Sequence, residues 1–289
     1  MSARTAVVLF HRDLRVHDHP ALAAACASAE RVVPLFVVDR HLWSVAGPHR
    51  LRFLCQSLAD LRESLRRRGA DLVVRRGDPV TEAVRVATAC GAERLHVTAD
   101  VSAYATARQR RLAAACADAR VGFEAHPGVT LVPPGALLPA GGGDHYRIFT
   151  PYWRVWRQHP WRPEVAAPAR IRLPDPAPDP GRLPRPPAGA SGVSPGGETA
   201  AGRRLSAWAR QVAAYPRVHD DLAADATSRL SAYLHFGWVS ARQVAAACAG
   251  QEEFLRQRGG CPSSPVSRAR PCTSRGACRR RCDAAWPTR

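Results

Sequence analysis

Two clusters in this sequence hold side chains able to do chemistry. In "DATSRLSAYLHFG", Thr227, Ser228 and Ser231 surround Arg229 just where an apolar helical pattern begins. A helix start leaves backbone N–H groups without intrahelical partners and carries the positive end of the helix dipole. Adding an Arg fork makes such a place suited to a phosphate or pyrophosphate. The same spacing also fits a plain helix cap by Thr227. The second cluster, "HRDLRVHDHP", follows the apolar run at residues 7–10. Its Arg12, Asp13 and Arg15 either line a ligand site or pair with one another to fix a loop. No Walker A pattern and no GxGxxG follows a strand, which argues against an ordinary triphosphate or dinucleotide site there. No catalytic residue and no metal site is expected. Cys26, Cys55, Cys90, Cys116 and Cys248 sit in helical stretches and read as small buried apolar residues, while Cys261, Cys272, Cys278 and Cys282 match no common zinc spacing.

The elements that must carry these clusters alternate regularly up to residue 126. Strands are expected at residues 5–10, 31–38, 71–74, 94–97 and 121–125, with helical patterns between them. Leu51, Leu54, Cys55, Leu58, Leu61 and Leu65 are spaced for one helix face. Such alternation predicts an α/β fold with a parallel, Rossmann-like sheet covered on both sides. The first charged cluster, Asp39 and Asp100 would then stand at carboxyl ends of strands, where open sheets bind ligands. Trp153 and Trp156 share a helix face that reads as core. Residues 160–198 hold eleven of the 25 prolines and read as a linker unable to form a regular helix or central strand. Helices resume at residues 205–215 and 227–237, the second ended by Gly237, and a third starts at the Ser240–Gln243 capping box.

All 42 basic side chains are Arg, against 24 acidic ones, for a net charge of +18. Such an excess favours a polyanionic partner, although a solvated basic surface accounts for it too. No apolar run is long enough for a membrane span and no signal peptide is recognisable, so a soluble, cytoplasmic protein is expected; a monomer is expected as well. Residues 258–289 carry eight Arg and one Asp with no Leu, Ile or Phe. They read as a disordered basic tail, either a nucleic-acid arm or, as the break after "QEEFLRQ" favours, an out-of-frame translation.

Several stretches, in order, resemble the DNA photolyase/cryptochrome family: "LFHRDLRVHDHPAL", "ADVSAYATARQRR", "YRIFTPYWRVW" and "TSRLSAYLHFGWVSARQV". The resemblance covers about residues 5–257. It implies an antenna domain at residues 1–127, an inter-domain connection at 128–200 and an incomplete, all-α FAD-binding domain at 201–257. It further implies light-driven repair of cyclobutane pyrimidine dimers in DNA by electron transfer from reduced FAD. On the matching positions, Tyr215, Thr227, Ser228, Arg229, Leu230 and Ser231 would hold FAD. Arg50 and Asp100 would line an antenna site for a deazaflavin or folate. Where many relatives place a DNA-facing Arg, this chain has His219. Relatives continue for some two hundred residues further, through most of the flavin-ring pocket, so the resemblance implies a C-terminally truncated member with weak FAD binding and impaired repair. A cryptochrome-like photoreceptor and a non-catalytic nucleotide- or deazaflavin-binding module are the alternatives.

Overall fold

The computed structural model describes residues 3–143, 145–188, 194–219, 221 and 226–259. It divides into two compact units, one of residues 1–131 with 161–254, the other of residues 132–160 with the chain from 255.

The first unit is built on a five-stranded sheet. Its strands are β1 (Ala3–Phe10), β2 (Ala29–Asp39), β3 (Val73–Gly77), β4 (Arg94–Thr98) and β5 (Gly122–His126), in the order β3-β2-β1-β4-β5. Every neighbouring pair is parallel, with Val7 opposite Val33 on one side and Leu95 on the other. The helices α1 (Pro20–Ser28), α2 (Arg40–Val45), α3 (Pro48–Arg66), α4 (Pro79–Ala89) and α5 (Ala103–Asp118) make the crossovers. Central β1 is buried throughout residues 6–10, as expected of a strand covered on both faces. On α3, Leu51, Cys55, Leu58, Leu61 and Leu65 are buried as their spacing predicts. Each buried Leu contributes about 1.5–3 kcal/mol. Phe53, one position off that stripe, is also buried and packs 4.4 Å from the Trp238 ring, so α3 serves two neighbours.

The third strand starts two residues later than its composition suggests. Asp71 is drawn to α3 by Arg62 at 2.9 Å and Arg66 at 2.8 Å, and its carboxylate accepts the Leu72 amide, which leaves β3 to begin at Val73.

The Pro-rich stretch contains no regular helix or strand among its described residues, but it is docked rather than loose. Val32 donates to the Arg172 carbonyl and Val74 to the Pro180 carbonyl, both at 2.8 Å. Ile171 is 2% exposed and its amide donates to the Arg68 carbonyl. Residues 161–181 therefore run as a strap over α3 and the β2–β3 side of the sheet. Proline suits this path because the strap offers carbonyls and lacks the N–H groups that a regular element would demand.

Helical structure resumes with α7 (Glu198–Ala209), α8 (Tyr215–Val218), α9 (Ser231–His235), α10 (Ala241–Ala247) and α11 (Glu252–Gly259). The Ser240–Gln243 capping box forms in both directions. Residues 205–215 do not make one helix, because α7 begins seven residues earlier and gives way to a 3-10 turn at Val212–Ala214. The expected helix over 227–237 shrinks to the five residues of α9. In the second unit α6 (Phe149–Gln158) buries Trp153 and Trp156, stacked with centroids 5.0 Å apart. Residues 260–289, most of the basic tail, lie outside the described residues. No described helix is long and apolar enough to cross a membrane.

Candidate functional site

The strand order reverses between β1 and β4, and a crevice opens at such a switch point beyond the carboxyl ends of the strands. The charged loop after β1 lies there, and its side chains both brace one another and reach distant segments. Asp13 is the hub. One of its carboxylate oxygens accepts the His11 amide at 2.6 Å, and the other stands 3.0 Å from His19 Nε2, with both side chains at most 1% exposed. The Leu22 amide donates to His19 Nδ1 at 3.0 Å, which leaves the ring hydrogen on Nε2, the nitrogen nearer Asp13. Burial works to raise the Asp13 pKa, but the adjacent His19 ring outweighs it and the carboxyl is held well below the usual carboxylate range. Arg15 is almost completely buried and spreads its guanidinium over three carbonyls: Asp18, Gly237 at 2.8 Å and Gly128. Asp18 is clamped by both terminal nitrogens of Arg162, at 2.5 and 2.7 Å.

Arg12 reaches two other segments. Its Nη1 lies 3.3 Å from Asp100, and its Nε donates to the His235 carbonyl at 2.8 Å. The loop after β1 thus holds the end of α9. Gly237, at φ +68°, follows that helix, and a β-carbon there would meet the Arg12 carbonyl at 1.9 Å. Only glycine permits both the left-handed turn and the close approach.

Around this loop the other strand ends converge. Asp39 caps α2 through the His41 and Leu42 amides and accepts the Tyr104 hydroxyl with its second oxygen. Burial, then that bond, push the Tyr104 pKa up to about 12. Arg108 lies 5.5 Å from the Tyr104 ring centre. Burial, then the charge of Arg108, push His11 down to about 3. His235 keeps an exposed edge, yet burial, followed by the charges of Arg12 and Arg50, lowers it to about 4, with Asp100 opposing. Arg50, exposed in the first turn of α3, and Asp100, at the end of β4, therefore act on the same imidazole. Tyr104, Arg108 and His235 were not singled out in the sequence; the 3.6-residue period placing Tyr104 and Arg108 on one helix face was the available signal.

The second cluster differs from its expected form. Residues 227–230 are not helical, and Arg229 has a left-handed φ of +51°. The reason is Arg204 on α7, which takes the Ser228 carbonyl at 2.8 Å and the Thr227 carbonyl at 2.9 Å. Those are the acceptors that a continuing helix would have used for Ala232 and Ser231. Thr227 consequently caps nothing, and no side chain caps α9. A five-residue helix adds little dipole, so the helix-start argument for a phosphate is weakened. What remains is a loop with Leu230 fully buried as its anchor, while Thr227, Arg229 and Ser231 are exposed and Ser228 is half-buried. Tyr215, in contrast, is buried among aromatic rings, edge-on to Trp208 at 5.8 Å and to Phe254 at 5.3 Å. His219 Nδ1 lies 3.1 Å from the Tyr215 carbonyl, turning that histidine back onto its own helix. A polar hollow of about 410 Å³ lies elsewhere, at the amino end of β2, between Arg31, Arg170, Arg172 and Asp175.

Comparison with known proteins agrees with this arrangement. The DNA photolyase family profile matches residues 6–174. A deoxyribodipyrimidine photo-lyase of Streptomyces griseus is 43% identical over 266 residues, covering 87% of this chain and 58% of that protein. A cryptochrome DASH of Gloeobacter violaceus is 35% identical, covering 84% of this chain and 53% of its own. The crystal structure of a class III photolyase from Agrobacterium tumefaciens superposes with a TM-score of 0.80 at 26% identity, over 89% of this chain and 57% of that one. The chain thus spans a little over half the length of the relatives it matches. With a family profile matched over more than half of its length and a relative 43% identical over 87% of it, the chain belongs to the DNA photolyase/cryptochrome family.

Proposed function

We propose that this chain supplies the antenna domain and the phosphate end of the flavin site of a photolyase-type protein, whose reaction is light-driven reversal of cyclobutane pyrimidine dimers in DNA. The observation that carries the reading is the loop at residues 227–231. It turns Thr227, Arg229 and Ser231 to solvent while Arg204 and buried Leu230 hold it from behind. These residues fit the pyrophosphate of FAD: two exposed hydroxyls donate, and the Arg229 fork adds charge. Ser228 supports the turn, its hydroxyl accepting the Leu230 amide at 3.4 Å. Tyr215 belongs to the wall behind the site rather than to its polar lining. When bound, reduced FAD supplies light absorption and single-electron donation to the dimer. The chain's own residues position it, and the basic surface attracts DNA holding the extruded lesion.

In this reading residues 1–127 form the antenna domain, 128–200 the connection and 201–257 the flavin-binding helices. Arg50 and Asp100, with Arg12, Asp39 and Tyr104, line the place for a deazaflavin or folate. The test is a titration of the purified chain with FAD, followed by flavin fluorescence, beside an assay of dimer loss under blue light. FAD binding weakened at least about tenfold by Arg229→Ala supports the reading, since a charge-assisted bond contributes about 1.5–3 kcal/mol. A chain that binds no FAD, or binds it equally well without Arg229, refutes it. The similarity to a cryptochrome DASH favours a second reading, light signalling, which would leave dimers intact under the same illumination.

A further inference from the structure

On the face of the sheet at its β5 edge, three side chains converge that the photochemical reading does not use. β4 pairs His96 with Glu124, and His126 follows two residues later on the same face of β5. His96 Nδ1 lies 2.9 Å from His126 Nε2, and Glu124 Oε2 lies 3.6 Å from the first and 3.7 Å from the second. The two nitrogens could share a single proton, but the carboxylate oxygen stands too far from either for a hydrogen bond. The spacing has another meaning. Two ligands bound to one tetrahedral ion at about 2.0–2.1 Å lie about 3.3–3.4 Å apart. The three measured edges bracket that value, and their corners share a centre about 2.0 Å from each.

We propose that His96, Glu124 and His126 form a binding site for a divalent transition metal of the Zn²⁺ class, clipping the edge strand β5 to β4. Two imidazoles and one carboxylate are a common zinc ligand set, and they leave a fourth position for water. His96 is fully buried, His126 is 18% exposed and Glu124 37%, so the open position faces the solvent side. Arg94 Nη1 donates to the other oxygen of Glu124 at 2.9 Å and fixes which oxygen points at the histidines. This is the role that outer-shell partners play in metal sites.

The experiment uses the full chain, stripped of metal, with Zn²⁺ titrated against a chromogenic chelator. One tight equivalent is expected. Both Glu124→Gln and His126→Ala should weaken it by more than the roughly 10–100-fold that loss of an orienting partner alone costs. Circular dichroism checks that both variants fold, and added Zn²⁺ should raise the Tm of the parent but of neither variant. X-ray absorption at the zinc edge separates this site from the tail thiols of Cys261, Cys272, Cys278 and Cys282. Nitrogen and oxygen neighbours support the proposal. Sulphur neighbours, an equivalent that survives both substitutions, or no tight equivalent in the parent would overturn it.

Discussion

Asp13 and Gly237 carry the link between the opening loop and the α9 segment, and both can be tested singly. Asp13 and His19 are buried side by side, so removing the carboxylate leaves the imidazole without its charged neighbour. Asp13→Asn should cost about 1–3 kcal/mol in urea denaturation at neutral pH. The folded pKa of Asp13 is depressed, so its contribution is complete above the unfolded value of about 3.9 and is lost as pH falls below that. The difference between Asp13→Asn and the parent should therefore hold constant from pH 5 to 8, a range set by that roughly 3.9 reference, and shrink only in more acid solution. Gly237→Ala should be destabilising by more than the roughly 1–2 kcal/mol of left-handed strain, because the added methyl also collides with the Arg12 carbonyl. A melting temperature unchanged in Gly237→Ala would mean that the loop and α9 do not touch as described.

Among the elements, the Pro-rich strap departs most from its sequence reading. Composition alone describes a spacer, yet Ile171 is buried and the backbone between residues 171 and 180 exchanges hydrogen bonds with β2, β3 and α3. A docked strap resists proteases and a loose linker is cut early. Limited proteolysis of the native chain should therefore spare residues 161–181. Ile171→Ala should cost about 2–5 kcal/mol and open that stretch to cleavage. The helix at residues 227–237 shows the opposite failure. Its pattern was helical, but Arg204, 23 residues upstream of Thr227, competes for two of its carbonyls. No local pattern announces such a partner. The capping box of α10 was legible because Ser240 and Gln243 satisfy each other within a single turn.

At the scale of the whole molecule, the dominant quantity is charge. With a net +18 the chain should bind DNA with affinity that falls steeply as salt rises. Residues 258–289 contribute eight of the Arg and one Asp. Deleting them should make the plot of log K against log salt shallower, by about 0.9 for each phosphate that the tail neutralises, while leaving a negative slope. An unchanged slope would show that the tail neutralises no phosphates and that the basic surface of the folded part does all the attracting.

By itself the sequence determined the parallel α/β sheet, since apolar runs and helix stripes are local patterns that leave few topologies open. The order of the family motifs was equally legible, and so was the placing of charge at strand ends. Only the tertiary structure decided who answers that charge: Arg12 goes to Asp100 and His235, Arg15 to the carbonyls of Gly128 and Gly237, and Asp13 to His19. It also brought His96 beside Glu124 and His126. These partners lie between 6 and more than 200 positions away along the chain, and the packing of loops and the register of strands, not spacing in the sequence, set which of them meet.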